Sequence, residues 1–225
     1  MSFLNSFLDQ VVTGDCLTVL PQLPAGSVDM ILTDPPYLVR YQSRDGRRVP
    51  NDDTDAWLVP AFAESYRILK RDRFCVSFCG FTQADRFLAA WKAAGFRVLE
   101  HLVWRKRYPS STGFVRRYHE QAYVLAKGNP RRPKMLLPSV LEWRYTGNTL
   151  HPTQKPVGAL LPLVMAFSQV GDVILDPFAG SGSTLAAAEA VGYESVGIEK
   201  DPRYFDVACS ALPRLAALAV GENGG

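Results

Sequence analysis

The stretch Asp172-Val-Ile-Leu-Asp-Pro-Phe-Ala-Gly-Ser-Gly-Ser-Thr184 decides the fold of this chain. It is typical of a short apolar strand, a turn that contains Gly180 and Gly182, and an Ala-rich helix that Gly192 ends. Glycines let a backbone approach a ligand closely, and a helix start offers N–H groups without partners. The stretch therefore predicts a strand–turn–helix unit with a ligand at the carboxyl end of the strand.

Apolar runs alternate with helical patterns along the rest of the chain, which is typical of an α/β sheet. Several runs are continuously apolar, as expected of parallel strands that helices cover on both faces. The pattern predicts strands at residues 10–13, 28–33, 74–78, 96–104, 121–126, 172–175 and 195–198. It predicts helices at residues 82–95 with a capping box at the start, 156–169 with a kink at Pro162, 183–191 and 203–218.

Length and composition fit one globular domain, which we place at residues 1–225. The chain has 225 residues, of which 47% are apolar and 21% charged, and its net charge is +3. It shows neither a signal peptide nor an apolar run approaching the roughly 18 residues of a membrane span. The four cysteines lack the spacing of a zinc site. We therefore expect a cytoplasmic protein with reduced thiols, no bound metal and no membrane partner.

A second motif, Asp34-Pro-Pro-Tyr37, directly follows the apolar run at residues 28–33. Proline has no N–H to donate, so the chain cannot continue as a central strand and leaves the sheet here. The turn presents a carboxylate, rigid backbone carbonyls and an aromatic ring at the ligand-binding edge of the sheet. Taken alone, the motif is also compatible with a purely structural turn.

A carboxylate, Glu199, ends the predicted strand that comes 17 residues after Gly182. Such a carboxylate is placed to accept hydrogen bonds from ribose hydroxyls. The glycine turn lacks the third glycine of the dinucleotide fingerprint and has no Gly-Lys-Ser/Thr ending, which argues against a Walker phosphate loop. A dinucleotide-dependent oxidoreductase remains one alternative, although that function would not explain the Asp34–Tyr37 motif.

Together with the stretch His151-Pro-Thr-Gln-Lys-Pro156, these motifs resemble the DNA amino-methyltransferases. The order of the motifs resembles the permuted β class of that family, and Thr13-Gly-Asp-Cys16, Trp104-Arg-Lys106 and His119-Glu120 also match its pattern. The resemblance covers residues 10–209. It implies a Rossmann-like, S-adenosylmethionine-dependent methyltransferase fold, with a mostly parallel seven-stranded sheet, helices on both faces and a circularly permuted motif order.

The resemblance assigns the catalytic role to Asp34, Pro35, Pro36 and Tyr37. The lone pair of an exocyclic amine is delocalised into its base, so the amine is a poor nucleophile. Hydrogen bonds from its two N–H groups to the Asp34 carboxylate and the Pro35 carbonyl would localise that pair. Tyr37 would stack on the target base once the base leaves the helix.

The resemblance also implies the cofactor, S-adenosylmethionine, and the residues that hold it. Phe178 would lie near the sulfonium, Glu199 would take the ribose hydroxyls, and Asp15 would accept from the cofactor's adenine amino group. Thr153 and Lys155 would hold its carboxylate. The expected cofactor-binding residues are Asp15, Cys16, Thr153, Lys155, Asp176, Pro177, Phe178, Ala179, Gly180, Ser181, Gly182, Glu199 and Lys200.

Two basic segments indicate double-stranded DNA as the partner, because arginine and lysine neutralise phosphates. Residues 38–54 are expected to form a mobile loop that closes over the flipped base or contacts the DNA backbone. Residues 105–117 contain five basic residues and no acid, and a solvated loop is the alternative interpretation of that segment. A short target-recognition insertion is expected at residues 127–150, so a homodimer reading a near-palindromic site is the hypothesis for assembly. The expected DNA-binding residues are Arg40, Arg44, Arg105, Lys106, Arg107, Arg116 and Arg117.

The preferred target is adenine N6, because relatives that act on cytosine N4 more often carry serine at the position of Asp34. Cytosine N4 is the nearest alternative. RNA or a protein amide is a further alternative, although protein-amide enzymes typically begin the motif with asparagine. A non-catalytic module that binds S-adenosylmethionine or DNA belongs to a different class, and it would predict decay of one of the two motifs.

Overall fold

Most of the strands and helices form where the apolar runs predict them. The computed structural model describes residues 8–42, 46, 49–110, 114–143, 154–210 and 212. The strands are β1 (Gln10–Thr13), β2 (Val28–Thr33), β3 (Leu69–Phe78), β4 (Arg97–Ser110), β5 (Arg117–Lys127), β6 (Val140–Glu142), β7 (Val173–Asp176) and β8 (Glu194–Glu199). The helices are α1 (Cys16–Val19), α2 (Leu58–Ile68), α3 (Ala84–Ala94), α4 (Val157–Phe167) and α5 (Ser183–Glu189), and residues 202–210 are also helical.

The strands form one eight-stranded sheet in the order β1-β8-β7-β2-β3-β5-β4-β6. Its pairs are parallel, except that β5 runs antiparallel to β3 and β4. The mostly parallel α/β sheet expected from the sequence is therefore confirmed. All seven predicted strands are present and the sheet has one more, β6, which pairs with β4 from Val103↔Val140 to Arg105↔Glu142. Three residues are too few to show the alternation that reveals a strand.

Four neighbouring strands bring the predicted site residues to one edge of the sheet. β1, β8, β7 and β2 are adjacent and parallel, so their carboxyl ends lie side by side. Asp15 and Asp34 follow β1 and β2, whereas Asp176 and Glu199 are the last residues of β7 and β8. Open α/β sheets bind their ligands at this edge.

Helices cover both faces of the sheet, as the continuously apolar strands predict. Because side chains alternate along a strand, Ile31 of β2 joins one apolar cluster with α2 and α3, whereas Met30 and Leu32 join the opposite cluster with α4 and α5. Trp91 and Trp104, one in each cluster, are fully buried. The two clusters hold the sheet rigid beneath its ligand-binding edge.

The helices differ from the predictions in two places. α2 was not predicted, although its buried residues Leu58, Ala61, Phe62, Ser65 and Ile68 have helical spacing. The predicted capping box at Thr82 is wrong, because α3 begins at Ala84 with Gln83 as the cap residue and without a side-chain capping bond. A short 3₁₀ turn at Phe81–Gln83 takes the place of that cap. The predicted end at Gly95 is confirmed, and there the backbone has φ of 102°.

Bulk properties of the described residues show little beyond ordinary globular structure. The four cysteines are free thiols, three of them buried. Among the described residues, no group of acidic, histidine or cysteine side chains is arranged to hold a metal ion. None of the helices within the described ranges has the length and apolar character needed to cross a bilayer.

Candidate active site

The turn after β2 places the Asp34 carboxylate between two donors. The Tyr37 hydroxyl donates to Asp34 Oδ1 over 2.8 Å, and Lys155 Nζ donates to Asp34 Oδ2 over 2.5 Å. The Tyr37 ring packs against the backbone of Gly80, where an added Cβ would lie 3.1 Å from the Tyr37 Cβ. The ring therefore depends on a glycine at the end of β3 for its position.

Lys155, just before α4, places its buried amine against the Asp34–Tyr37 turn. Lys155 is only 7% exposed, and its Nζ lies 5.1 Å from the ring centroids of both Tyr37 and Phe78. The expectation from sequence placed Lys155 on the carboxylate of a cofactor, whereas the structure pairs it with Asp34. A buried cation needs a counter-ion, and Asp34 provides it here. Thr153, its expected partner in that role, lies outside the described residues.

Burial and charge act in opposite directions on this turn. Burial raises the pKa of Asp34 above its usual value, while the Lys155 charge and the hydrogen bonds from Lys155 and Tyr37 lower it. Burial and the nearby Asp34 and Glu120 charges raise the pKa of Tyr37 well above its usual value. Tyr37 therefore keeps its proton and remains a donor to Asp34 at neutral pH.

The glycine turn after β7 closes over the end of β8. Asp176 Oδ1 accepts from the Phe178 N–H over 3.0 Å, and the Ala179 N–H donates to the Ile198 carbonyl over 2.9 Å. Gly182 has φ of 81°, and an added Cβ would lie 3.3 Å from the Ala208 Cβ. A side chain at Gly182 would thus be strained and crowded, which explains the glycine.

Two acids on this edge have raised pKa values. Burial raises the pKa of Glu199 to about 7, although the N–H groups of Asp201 and Gly180 donate to it over 2.7 and 2.8 Å and act in the opposite direction. Burial also raises the pKa of Asp176 to about 6, against hydrogen bonds that include one from Thr184. Such perturbed carboxyls in a cleft are typical of functional sites.

Asp15 and Lys200 form an ion pair at the far end of the site. Asp15 Oδ1 caps α1 by accepting from the Leu17 N–H over 2.9 Å, and its Oδ2 lies 2.8 Å from Lys200 Nζ. Burial pushes the pKa of Asp15 up, but the hydrogen bonds from Lys200 and the Leu17 N–H outweigh it and lower the pKa. Asp15 is therefore ionised and accepts hydrogen bonds at neutral pH.

One cleft joins the Asp34–Tyr37 turn to the glycine turn. Of the expected cofactor residues, Gly182 supports the turn from outside, since its N–H donates to the Ala179 carbonyl over 2.8 Å. The expected site residues that line the cleft are Asp15, Cys16, Asp34, Pro35, Pro36, Tyr37, Lys155, Asp176, Pro177, Phe178, Ala179, Gly180, Ser181, Glu199 and Lys200. The structure thus brings together the catalytic and cofactor-binding residues predicted from separate motifs.

The segment after Tyr37 forms another wall of this cleft, through residues that the sequence analysis missed. Asp52 is buried and accepts from the backbone N–H groups of Val39 and Tyr41 over 3.2 and 2.5 Å. The Asn51 carbonyl accepts from Trp57 Nε1 over 3.0 Å, and the Trp57 ring meets Phe178 with centroids 4.9 Å apart. Asp52 is one of the few acids in this basic segment, and that feature of the sequence could have predicted a structural role for it. Arg40 is exposed, and Arg44 lies outside the described residues.

The basic segment of β4 and β5 divides between two faces. Arg105 and Arg107 are exposed, and Arg105 pairs with Glu142 over 3.0 Å. Lys106 is only 6% exposed and pairs with Glu120 over 2.7 Å, so it does not present a surface charge as expected. It shares its buried face with Leu102 and Trp104, a period-two signal that the sequence contained. Arg116 is exposed, and Arg117 is partly buried with its guanidinium 4.6 Å from the Phe81 ring centroid.

Comparisons with known proteins agree with this geometry. The family model described as DNA methylase matches residues 28–149 and 136–210. YubD of Escherichia coli (strain K12), a presumed methylase by name, is 50% identical over 197 residues, covering 88% of this chain and 87% of YubD. Type II methyltransferase M.HinfI of Haemophilus influenzae is 28% identical over 246 residues, covering 91% of this chain and 68% of M.HinfI.

Solved structures share the fold. TTHA0409 of Thermus thermophilus, a presumed DNA modification methylase, superposes with a TM-score of 0.73 at 26% identity, covering 92% of this chain and 95% of TTHA0409. Another structure of the same protein, complexed with S-adenosyl-L-methionine, superposes with a TM-score of 0.71 at 25% identity. The Rossmann-like methyltransferase fold expected from the sequence is confirmed.

These matches define a class of enzyme, the methyltransferases that modify amino groups of DNA. This chain belongs to the DNA methylase family of N6-adenine and N4-cytosine methyltransferases, as its motifs and their order predict.

Proposed function

We propose that this protein transfers a methyl group from S-adenosylmethionine to N6 of adenine in double-stranded DNA. One observation carries the proposal: the Asp34 carboxylate and the glycine turn line a single cleft at the carboxyl edge of the sheet. A hydrogen-bond acceptor for an amine thus lies beside a turn suited to a nucleoside.

The residues of the cleft fit S-adenosylmethionine. Glu199 is a buried carboxylate held by two backbone N–H groups at the end of β8, so its remaining acceptor capacity suits ribose hydroxyls. Asp15 suits an amino group, and the Phe178 ring suits a sulfonium. When bound, the cofactor supplies an electrophilic methyl group. The other described residues expected to hold it are Cys16, Lys155, Asp176, Pro177, Ala179, Gly180, Ser181, Gly182 and Lys200.

Asp34 and its neighbours orient the amine. The Asp34 carboxylate and the Pro35 carbonyl accept its two N–H groups, which localises the nitrogen lone pair toward the methyl group. Asp34 already has a donor on each oxygen, so the incoming amine replaces one of them. Tyr37 offers its ring to the flipped base while its hydroxyl fixes the carboxylate. In-line transfer then needs no covalent bond to the protein.

Adenine is preferred over cytosine because the motif begins with Asp34. Cytosine N4 is the second candidate, since the matched family includes both activities. The two amino groups present the same two N–H donors, so the hydrogen-bonding scheme serves either base.

The assembly proposed with this activity is a homodimer on double-stranded DNA. The described part of the recognition segment, residues 128–143, contains a single three-residue strand. So small a surface reads few base pairs, and two copies related by a two-fold axis double that number.

The test is expression in a methylation-deficient bacterial host, followed by single-molecule sequencing that detects modified bases. The expected result is N6-methyladenine at one short motif. N4-methylcytosine would retain the mechanism and overturn the choice of base. A folded protein that binds S-adenosylmethionine and modifies neither base would contradict the proposal.

A further inference from the structure

The hairpin of β4 and β5 extends past the rest of the sheet. β3 pairs with β5 from Arg73↔Lys127 to Phe78↔Ala122, and β6 pairs with β4 only as far as Arg105↔Glu142. Among the described residues beyond these limits, the two strands pair with each other alone, ending at Ser110↔Arg117. We call residues 106–110 and 114–119 the hairpin arm. A two-stranded ribbon has the width that a DNA major groove admits.

The hairpin arm begins beside the Asp34–Tyr37 turn. Arg117 lies over the Phe81 ring, and Phe81 follows Gly80, whose backbone supports the Tyr37 ring. At the base of the hairpin arm, Lys106 and Glu120 form their ion pair, and the Glu120 charge acts on both Asp34 and Tyr37. The base of the arm therefore lies next to the two side chains, Asp34 and Tyr37, to which the proposed function assigns the target base.

The outer end of the hairpin arm is apolar, aromatic and basic. Phe114 is fully exposed and Val115 is 69% exposed, while Tyr108 and Tyr118 are also among the exposed large side chains. Arginines 107, 116 and 117 lie among them, and no acid occurs between Arg105 and Arg117. Exposed apolar side chains on a cationic ribbon match a polyanion that also offers apolar base faces.

We propose that the hairpin arm enters a groove of the DNA beside the target base, and that Phe114 fills the space in the base stack that the flipped base leaves. This inference rests on the proposed function. Taking a base out of the stack costs a few kcal/mol, and apolar wedges inserted by proteins stabilise such openings. Phe114 has no folded-state packing to give up, so it is available for this role.

The test compares Phe114→Ala with the wild type on two duplexes that carry the methylation site found by sequencing. One duplex is fully paired, and the other has an abasic position opposite the target base, so that no base pair has to open. On the paired duplex, Phe114→Ala should lose about 30-fold in kcat/KM, which corresponds to a few kcal/mol. On the abasic duplex, its loss should be about threefold or less.

Two further variants make the comparison specific. Val170→Ala removes an exposed apolar side chain far along the chain from the arm, where Val170 is 83% exposed, and should behave as wild type on both duplexes. Phe114→Trp keeps a large flat side chain and should restore activity on the paired duplex to within about threefold. Cofactor affinity, measured by calorimetry, should be equal in all four proteins.

Four results would overturn the inference. Equal losses of Phe114→Ala on both duplexes would reduce the residue to a general contact, and no loss on either would remove it from the reaction. Dissociation of a dimer by Phe114→Ala in sedimentation would assign the arm to an interface between copies. If the wild type methylates neither duplex, the proposed function fails first, and the inference falls with it.

Discussion

Asp34 is held by two donors, and the proposed reaction requires one of them to release it. Lys155 and Tyr37 each occupy one of its oxygens, and this pairing favours the charged form of a partly buried carboxylate in the free protein. The raised pKa of Asp34 shows that burial outweighs these partners. An amine that replaces one of these two donors would meet a carboxylate that the other donor still orients, which is the preorganisation that catalysis requires.

Asp34→Ala should reduce kcat by about 10³-fold, because it removes an acceptor that acts on the transition state. Cofactor affinity should change by less than about tenfold, since Asp34 is not itself an assigned cofactor contact and acts on that set only as the ion-pair partner of Lys155. Methylation rates and calorimetry measure the two quantities. Asp55→Ala, at an exposed acid paired with Arg86 over 3.1 Å, is the matched control. Full activity of Asp34→Ala would refute its catalytic role.

Glu199 should make cofactor binding depend on pH. Burial raises its pKa to about 7 in the free protein, whereas ribose hydroxyls donate best to an ionised carboxylate. Cofactor affinity should therefore rise by about tenfold between pH 6 and pH 8, with release of a proton. Calorimetry in buffers of different ionisation enthalpy measures both effects. Glu199→Gln should bind more weakly and show a flat pH profile, and an unchanged affinity would remove Glu199 from the ribose role.

The same residue should affect the stability of the cofactor-free protein. Its folded-state pKa of about 7 lies above the usual value of 4.5, so its contribution to stability is present at low pH and is lost as pH rises through about 7. Between pH 5 and pH 8, the free energy of unfolding should fall by on the order of 2 kcal/mol more in the wild type than in Glu199→Gln. Urea denaturation measures the difference, and parallel profiles would contradict the prediction.

At the scale of elements, an ion network ties β2 and β3 to the start of β7 at the edge opposite the cleft. Arg73 lies 2.8 Å from Asp29 and 2.9 Å from Asp172, and Lys70 lies 2.7 Å from Asp29. Both acids are buried, and burial raises the pKa of Asp172. The network fixes the register of the strands whose other ends carry Asp34 and Asp176.

Arg73→Met should destabilise the protein by about 3–5 kcal/mol, because it leaves two buried carboxylates without their shared partner. Arg71→Met is the matched control, since Arg71 is 83% exposed and lies 3.9 Å from Asp72. It should change the free energy of unfolding by less than about 0.5 kcal/mol. Urea denaturation compares the two variants, and equal effects would show that the network is not important for stability.

Sequence pattern predicted the long buried strands well, because parallel strands covered on both faces are continuously apolar. It failed where tertiary contacts decide the structure. β6 forms because β4 offers an edge to three residues, and Asp52 is buried because two backbone N–H groups turn toward it. Lys155 pairs with a carboxylate 121 residues away in the chain, a contact that no local pattern contains. α2 and the inward face of Lys106 could have been predicted from periodicity.

At the scale of the whole molecule, the exposed basic residues of the β4–β5 hairpin should contribute to DNA binding, whereas the buried Lys106 should contribute to stability. Arg107→Met and Arg116→Met should each reduce the slope of log K against log salt for DNA binding by about 0.9, because each removes one phosphate contact. Lys106→Met should leave that slope unchanged and lower stability instead, since Lys106 is buried with Glu120. Fluorescence titrations at several salt concentrations measure the slopes. An altered slope in Lys106→Met would return it to the DNA surface.

The proposed homodimer follows from the small size of the recognition segment, because one copy contacts too few base edges to select a long site. Two copies related by a two-fold axis read two half-sites in opposite orientation, so the methylated sequence should be near-palindromic. Sedimentation should give twice the chain mass of 24.9 kDa, and titration should give two chains per duplex. A duplex that keeps only one half-site should bind about 100-fold more weakly, since the second copy loses its base contacts while its phosphate contacts remain. A monomer that is fully active on an asymmetric site would contradict this assembly.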